Sequence, residues 1–256
     1  MNLRDKVIIV TGAASGIGEA CARLFAQEGA SVMLADRDEA RGRQVAAAIE
    51  SQGGGAQFIA TDVTDETAIE SMVGLAVKRW GGLDGAVNAA GIAGNPAPVA
   101  ELSAAEWRRN LDVMMIGVAL CMKHEITAMI DRGGGSIVNI ASLGGLDGVP
   151  FMAPYSAAKH GVIGVTKSAA LETAAAGIRV NAICPGLIDT PLYRAKLAEG
   201  VDYSGVVRKI ALGRSGWASE VADTALWLLS ARSSYVTGQP IIVDGGLMLG
   251  AFGSPG

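Results

Sequence analysis

A regular alternation of two kinds of segment, running along almost the whole chain, is the feature that most constrains the fold. Short runs rich in β-branched residues predict strands, and between them amphipathic, alanine-rich stretches predict helices. The predicted strands are residues 6–10, 31–35, 57–60, 84–88, 136–140, 179–183 and 241–243, and the predicted helices are residues 17–28, 39–51, 66–80, 104–132, 155–176 and 219–229. Because the strand runs are mostly continuous rather than alternating, helices are expected to cover both faces of a parallel sheet. We therefore predict a single α/β domain over residues 1–256, with an open, doubly wound sheet of about seven strands.

Composition excludes several classes of protein. The chain has 21 basic and 25 acidic residues and a net charge of −4, with no block of like charge, so nucleic acid is not an expected partner. The longest apolar run, residues 113–122, is about half the length of a membrane span, and residues 4–6 are charged where a signal peptide would be apolar. We expect a cytoplasmic protein with no membrane partner. Three scattered cysteines and two histidines favour reduced thiols and predict no metal site.

Glycine is in excess, with 35 residues, and three glycines share one loop between the first strand and the first helix. Gly12, Gly16 and Gly18 have the spacing G-x3-G-x-G in the segment that ends at Gly18. Glycine there permits a sharp turn and lets a pyrophosphate approach the free N–H groups of the helix N-terminus. The position predicts dinucleotide binding, although the same pattern also occurs in ordinary glycine-rich turns.

Asp36 follows the second predicted strand, 18 residues after Gly18. A carboxylate at this spacing accepts hydrogen bonds from the adenosine ribose hydroxyls and repels a 2′-phosphate, so NAD is the expected cofactor. The neighbouring Arg37 leaves NADP open, because a guanidinium binds phosphate well. Asp38 is expected to cap the next helix.

A further group of polar residues surrounds Tyr155. Tyr155 and Lys159 are separated by four positions, so they share one face of a predicted helix, and Ser142 lies just past the strand at residues 136–140. A lysine cation beside a phenol favours the phenolate, which suits proton exchange with an alcohol oxygen. A tyrosine and a lysine at this spacing are often only a solvated helix face, but their combination with the glycine loop, Asp36 and Ser142 predicts a catalytic site.

With these motifs in place, the chain resembles the short-chain dehydrogenase/reductase family from residue 6 to about residue 246. Residues 11–18 resemble the family's TGxxxGxG loop, residues 62–63 its adenine-side contact, residues 88–91 its NNAG strand end and residues 243–246 its closing VDGG. Tyr155 and Lys159 match its YxxxK pair, and Ser142 matches its substrate-orienting serine. Residues 185–190 resemble the segment that contacts the nicotinamide carboxamide.

The resemblance implies a Rossmann-type NAD(P)-binding domain and an oxidoreductase that interconverts a secondary alcohol and a ketone with NAD(H). Ser142, Tyr155 and Lys159 are the implied catalytic residues: Ser142 fixes the carbinol oxygen, Tyr155 exchanges a proton with it, and Lys159 binds the nicotinamide ribose and lowers the pKa of Tyr155. The implied cofactor-binding residues are Gly12, Ser15, Gly16, Ile17, Gly18, Asp36, Asp62, Val63, Asn88, Gly91, Tyr155, Lys159, Pro185, Gly186, Ile188 and Thr190.

The sequence departs from the family at one position of interest. When Trp107 and Gly117 are matched to the family's VNLxGv-like stretch, Met114 takes the place of an asparagine that anchors water in a proton relay. A thioether cannot donate a hydrogen bond and accepts one poorly. Three outcomes stay open: a slower or rerouted relay, compensation by Asn110 or another polar group, or loss of turnover. A smaller departure is Ala89, which replaces the second asparagine of NNAG.

The expected substrate is an uncharged, apolar alcohol or ketone, because the residues expected to line the pocket are nearly all apolar. They are Leu143, Leu146, Val149, Phe151, Met152, Leu187, Leu192 and Tyr193, the last three within a predicted lid at residues 187–212. Basic residues of the lid keep a carboxylate, or an acyl chain on an acyl carrier protein, as the alternative substrate.

A second alternative is a non-catalytic dinucleotide-binding sensor, for which Met114 is the support. Small residues on the helices at 104–132 and 155–176 suit burial against another subunit. Relatives of this kind pair these helices, so a homotetramer built as a dimer of dimers is expected.

Overall fold

The predicted strands assemble into a seven-stranded parallel sheet. The computed structural model describes residues 3–252. Its strands are β1 (Val7–Thr11), β2 (Ser31–Asp36), β3 (Gly55–Ala60), β4 (Gly85–Asn88), β5 (Gly135–Ile140), β6 (Ile178–Pro185), β7 (Ile188–Asp189), β8 (Gly216–Trp217) and β9 (Pro240–Val243). The sheet order is β3-β2-β1-β4-β5-β6-β9, with every neighbouring pair parallel, and β7 and β8 form a separate two-stranded pair. The predicted α/β doubly wound fold is confirmed.

Helices connect the strands and cover both faces of the sheet. They are α1 (Gly16–Gln27), α2 (Glu39–Glu50), α3 (Glu66–Trp80), α4 (Ala104–Leu111), α5 (Gly117–Arg132), α6 (Ala153–Thr173), α7 (Pro191–Ala198), α8 (Ser204–Val207) and α9 (Ala218–Leu229). Asp38 caps α2 as predicted, accepting a hydrogen bond from the backbone N–H of Arg41 at 3.0 Å. Gly81 ends α3 with a left-handed φ of +81°, a conformation that glycine adopts without steric cost.

Alternate residues of β1 face two different cores. Ile8 and Val10 pack with buried residues of α1 and α9, whereas Val7 and Ile9 pack with buried residues of α3, α5 and α6. This period of two places an apolar side chain on each face of every central strand. The continuous apolar strand runs are therefore explained by burial on both faces.

The long helix predicted over residues 104–132 is interrupted. A π-helical segment, Asp112–Ile116, joins α4 to α5, and such segments shift the side chains that follow relative to a regular helix. By length and apolar composition alone, Ala104–Arg132 could cross a membrane, a criterion that core helices of globular proteins also meet. In this fold α5 packs between α3 and α6.

The strand order indicates where on the carboxyl edge of the sheet a ligand would bind. The chain runs outward from β1 to β3 and then returns to β4 on the other side of β1, so the loops after β1 and β4 diverge at the carboxyl edge of the sheet. Ligands of doubly wound folds bind at such a point. The segment at residues 187–212, expected to be irregular, instead contains β7, α7 and α8 beside this edge.

Candidate active site

The glycine loop after β1 is held against the residues that follow β4. Thr11 Oγ1 accepts hydrogen bonds from the backbone N–H groups of Ala89, at 3.1 Å, and Ala90, at 3.3 Å. Gly12 has a left-handed φ of +68°, and a Cβ on it would lie 2.8 Å from the carbonyl oxygen of Ala89. Glycine is required at position 12 both for this φ and for the close approach.

The first turn of α1 has the features of a pyrophosphate site. Ser15 occupies the N-cap position, and its hydroxyl makes no capping hydrogen bond. Gly16 has a φ of +57°, and a Cβ on Gly18 would collide with the carbonyl oxygen of Gly12. Ile17 is partly buried against the core on this side of the sheet. The unpartnered N–H groups of the helix start and the free Ser15 hydroxyl are donors suited to phosphate oxygens.

Asp36 lies beside this loop at the end of β2. Its Oδ2 accepts from the backbone N–H of Ala14 at 3.0 Å, and its Oδ1 accepts from that of Asp38 at 2.9 Å. The loop is further fixed by Arg41, whose Nε donates to the carbonyl of Ala14 at 2.7 Å. The carboxylate is thus held in one orientation at the position predicted for ribose recognition.

Asp62 and Val63 follow β3 at the same edge. Asp62 Oδ1 accepts from the backbone N–H and the hydroxyl of Thr64, at 2.9 and 2.8 Å. These hydrogen bonds, with a smaller contribution from the Arg37 cation, lower the pKa of Asp62. Val63 is buried, and its carbonyl lies so close to Gly117 that a Cβ there would be 2.9 Å away.

The residues after β4 divide between the protein interior and the open edge. The amide nitrogen of Asn88 donates to Glu125 Oε2 and to Asn139 Oδ1, each at 3.0 Å, so this side chain is engaged inside the protein. A Cβ on Gly91 would meet no protein atom within 4 Å. Gly91 therefore borders open space, whereas Asn88 supports the edge from beneath.

A turn after β5 brings Ser142 to Tyr155. A Cβ on Gly144 would lie 3.0 Å from Tyr155 Cε1, and a Cβ on Gly145 would lie 2.6 Å from the carbonyl oxygen of Lys159. The missing side chains let the first turns of α6 pack directly on this turn. As a result Ser142 lies close enough to Tyr155 for its hydroxyl to lower the pKa of the phenol by hydrogen bonding, and Ser142 Oγ accepts from the N–H of Gly144 at 3.1 Å. Sequence reasoning missed this pair of glycines, although both follow Ser142 within three residues.

Lys159 is buried beside the same turn. Its ammonium donates to the carbonyl of Ile140 at 2.8 Å and lies 5.9 Å from the centre of the Tyr155 ring. Burial lowers the pKa of Lys159 to about 8. Burial also raises the pKa of Tyr155 above its usual value, against the opposing hydrogen bond from Ser142. Desolvation of the phenolate is the largest influence on this pKa, and the lowering of the Tyr155 pKa by Lys159 stays a prediction.

The segment after β6 has one part in the core and one at the edge. Pro185 is the last residue of β6, and the N–H of Gly186 donates to the carbonyl of Val243 at 2.9 Å. A Cβ on Gly186 would meet Asp244 at 2.8 Å, so this glycine is required by a contact within the protein. Ile188 is buried in the core.

Thr190 and Gly16 face each other across the edge. A Cβ on Gly16 would lie 3.5 Å from Thr190 Cβ, an ordinary van der Waals distance. Thr190 also caps α7, with its Oγ1 accepting from the N–H of Tyr193 at 3.3 Å. The lid segment is thereby joined to the cleft next to the predicted pyrophosphate site.

The position of interest in the family comparison, Met114, is buried within the π-helical segment, with 1% of its surface exposed. Asn110 lies one turn earlier and is also buried. Its Nδ2 donates to the carbonyl of Glu106 at 2.8 Å, and its Oδ1 has no hydrogen-bond partner. Asn110 and Tyr155 line the same small cavity. An acceptor is thus available near Tyr155 from a position other than 114.

The side chains predicted to line the substrate pocket differ in exposure. Leu143 and Leu146 pack partly against the core, and Tyr193 stacks on Tyr203 with 5.0 Å between ring centres. Phe151 is 60% exposed and has a left-handed φ of +64°, which strains a residue other than glycine. Val149 and Leu192 are also exposed. Of these, Val149 lies close to Tyr155, since both side chains would be 3.0 Å from a Cβ on Gly144.

The residues at this edge fit a dinucleotide. The glycine loop presents backbone without side chains, open space borders Gly91, and the hydroxyl of Ser15 is free. The carbonyl of Ile140 takes one of the three N–H donors of Lys159, which leaves donors for ribose hydroxyls. Donors for phosphate, donors for ribose and an acceptor at Asp36 follow one another along the carboxyl ends of the strands.

Known proteins share this sequence and fold. A family model described as Enoyl-(Acyl carrier protein) reductase matches residues 12–248. The chain is 44% identical to cis-4-hydroxycyclohexanecarboxylate dehydrogenase from Sinomonas cyclohexanicum, covering 94% of this chain and 96% of that protein. It is 42% identical to cyclohexanol dehydrogenase from Acinetobacter sp. (strain SE19), covering 94% of each. The solved structure of levodione reductase superposes with a TM-score of 0.91 at 34% identity, covering 95% of this chain and 97% of that one.

The fold and the site together define an oxidoreductase of the Rossmann class that uses a nicotinamide dinucleotide. The match to the family model spans nearly the whole chain, and the alignments cover 96% and 94% of the two relatives. The chain belongs to the short-chain dehydrogenase/reductase family.

Proposed function

We propose that this protein is an NAD-dependent dehydrogenase that interconverts a secondary alcohol and a ketone, with Tyr155 as the general acid and base. The observation that carries the proposal is the contact between Ser142 and Tyr155, with Lys159 buried beside them, at the edge that also holds the glycine loop. Relatives that act on cyclic alcohols support the reaction class.

In the proposed reaction each side chain has a separate task. The hydroxyl of Ser142 and the phenol of Tyr155 both hydrogen-bond to the substrate oxygen, which fixes the carbinol carbon in one orientation. A nicotinamide dinucleotide held by the glycine loop, Asp36 and Lys159 would supply or accept the hydride at that carbon. During ketone reduction Tyr155 gives its proton to the oxygen, and its raised pKa keeps the phenol protonated for this step. During alcohol oxidation Tyr155 takes the proton, and the Lys159 cation stabilises the resulting phenolate.

NAD is the proposed cofactor because of Asp36. The carboxylate is fixed by two backbone N–H groups and is partly exposed beside the glycine loop, where it accepts from ribose hydroxyls and repels a 2′-phosphate. Arg37 is exposed on the same turn, where its cation acts on Asp62. We propose that its guanidinium does not overcome the repulsion from Asp36.

The proposed substrate is an uncharged alicyclic alcohol or ketone. The exposed apolar side chains of Val149, Phe151 and Leu192 support it, as does the relative named for cyclohexanol. The relative named for 4-hydroxycyclohexanecarboxylate supports the alicyclic ring but carries a carboxylate, which favours the alternative of a carboxylate substrate. The alternative, a substrate carried on an acyl carrier protein, requires free cations on the lid. Arg194 pairs with Asp189 at 2.7 Å and Lys196 pairs with Glu199 at 2.7 Å, which removes two of the four lid cations from that role. Among the described residues Arg208 and Lys209 make no salt bridge, so they are the cations on which the alternative depends.

The non-catalytic sensor stays the alternative from another class. It has Met114 in its favour, but a sensor needs neither the Ser142–Tyr155 contact nor a buried lysine. We also propose a cytoplasmic homotetramer. Exposed apolar side chains on α5 and α6, including Ile130 and Leu171, support burial against a second copy. A monomeric mass in solution at micromolar concentration contradicts the tetramer.

The function is tested in two steps. Thermal unfolding is first measured with NADH and with NADPH, and NADH is expected to stabilise the protein more. Initial rates are then measured with cyclohexanol, cyclohexanone, a 4-hydroxycyclohexanecarboxylate and a 3-oxoacyl thioester of an acyl carrier protein. Turnover of the carrier substrate alone contradicts the substrate proposal, and stabilisation by NADH without turnover of any alcohol or ketone favours the sensor.

A further inference from the structure

A buried polar cluster lies beneath the active-site edge and joins four elements of the fold. Its members are Asn88 on β4, Glu125 on α5, Asn139 on β5 and Thr166 on α6, and none is more than 1% exposed. The Asn88 amide nitrogen donates to Glu125 and to Asn139, each at 3.0 Å, and the Asn139 amide nitrogen donates to Thr166 Oγ1 at 2.9 Å. We call these four residues the Glu125 cluster.

Within residues 3–252, Glu125 forms no ion pair with a cation. Its chain neighbours Lys123 and His124 pair instead with Glu66 on α3. The members that face it from β4, β5 and α6 are amides and a hydroxyl. On its own helix Glu125 acts on the buried thiol of Cys121, whose pKa is raised by burial and by Glu125.

Two other elements near the cluster form no ion pair with Glu125 among the described residues. The buried residues of α3, which packs on α5, are apolar: Ile69, Met72, Val73 and Ala76. On α6 the ammonium of Lys159 is engaged by the carbonyl of Ile140. An isolated buried carboxylate is costly, and burial raises the pKa of Glu125 to about 7.

The hydrogen bonds of the cluster also favour a neutral acid. Glu125 Oε1 and Asn88 Oδ1 are buried acceptors without a partner. A neutral carboxylic acid adds one O–H donor to a cluster short of donors, whereas an ionised one adds a charge and no donor. Ionisation therefore leaves the cluster less satisfied than before.

Each member of the cluster is linked to a part of the site. Asn88 directly precedes Ala89, whose N–H holds Thr11 of the glycine loop. Asn139 directly precedes Ile140, whose carbonyl holds Lys159. Thr166 lies two helical turns after Lys159 on α6. A change of charge at Glu125 therefore acts on the backbone that holds the glycine loop and on the carbonyl that holds Lys159.

We propose that Glu125 is a positioning residue that must be a neutral carboxylic acid for the ends of β4 and β5 to hold the dinucleotide. Its ionisation loosens the contacts of Asn88 and Asn139 and weakens dinucleotide binding. The inference rests on the proposed use of NAD(H), because its functional readout is the affinity for NADH.

The test is a fluorescence titration of NADH between pH 5.5 and 8.5 on wild type, Glu125→Gln and the control Glu70→Gln. Gln mimics the neutral acid in shape and charge, and Glu70 is an exposed residue of α3. We expect the NADH dissociation constant of wild type and of the control to rise about five-fold or more around pH 7. In Glu125→Gln the NADH dissociation constant is expected not to rise around pH 7. Any change in this constant that is caused by titration of Lys159 is shared by all three proteins.

If the NADH dissociation constants of wild type and Glu125→Gln depend on pH in the same way, the proposal is overturned but the proposed function stays intact. If wild type binds no dinucleotide at any pH, the proposed function is overturned, and so is the proposed effect of Glu125 on NADH affinity. An infrared measurement on wild type covers failure of the variant to fold. A buried carboxylic acid band is expected at pH 6 and is expected to disappear as the pH rises through about 7; its absence at pH 6 also overturns the proposal.

Discussion

Gly145→Ala is expected to reduce turnover by moving the catalytic helix. A Cβ at position 145 would lie 2.6 Å from the carbonyl oxygen of Lys159, 2.8 Å from its carbonyl carbon and 3.0 Å from Ile163 Cδ1. The turn and α6 must separate by about 0.8 Å to restore an ordinary contact. Because Ser142 lies on the turn and Tyr155 on the helix, this movement stretches their hydrogen bond. A misplacement of about 1 Å in a catalytic group costs about 100-fold in rate.

The expected result is therefore a fall in kcat of about 100-fold, with a loss of about 1–3 kcal/mol in the free energy of unfolding from overpacking. Initial rates with cyclohexanol and urea unfolding measure the two effects. Gly148→Ala is the matched control, because it lies in the same loop and a Cβ there would meet no atom within 4 Å. If Gly145→Ala and Gly148→Ala have the same kcat, the close packing of α6 on the turn does not position the catalytic residues.

Three further substitutions test other parts of the site. Met114→Asn is expected to remain active and to shift the pH profile of turnover. Because the side chain is buried, the new amide is expected to lower the free energy of unfolding by about 2–5 kcal/mol. An unchanged pH profile of turnover shows that position 114 has no part in proton transfer. Asp36→Asn keeps the shape but removes the charge, so the kcat/KM ratio of NADP to NAD is expected to rise about ten-fold or more, and an unchanged ratio refutes the assigned role of the carboxylate. Lys159 has a folded-state pKa of about 8, below its usual 10.5, so the unfolded chain binds the extra proton between these values and stability rises with pH. Wild type is expected to gain up to about 3 kcal/mol relative to Lys159→Met across that range in urea unfolding, and parallel pH dependences contradict the burial of the ammonium.

The sequence was sufficient for the fold because its signals are local. A continuous β-branched run such as that of β1 predicts a strand buried on both faces. An amphipathic stretch such as that of α3 predicts a helix buried on one face. The interruption of the helix at Asp112–Ile116 was not predictable, because the residues there carry no helix-breaking glycine or proline. Its position depends on packing between α4, α5 and α6.

The candidate site was only partly predictable. The grouping of Ser142, Tyr155 and Lys159 followed from strand ends and helix spacing, but the pKa of Tyr155 depends on desolvation, which the sequence does not record. The contacts of Gly145 and the burial of Glu125 depend on elements distant in the chain. Glu125 lies in an amphipathic stretch, where the sequence pattern does not separate an exposed glutamate from a buried one, and its side chain is fully buried.

The central claim is that Tyr155 transfers the proton. The most direct test measures two quantities for Tyr155→Phe, the turnover of cyclohexanol and the affinity for NADH. Removing the phenol oxygen is expected to lower kcat by about 10²–10⁴-fold, because a general acid–base contributes that much, while the NADH dissociation constant stays within about two-fold. Tyr235→Phe, which removes a hydroxyl from a fully exposed tyrosine, is expected to match wild type. Turnover of Tyr155→Phe within ten-fold of wild type, with NADH still bound, contradicts the account.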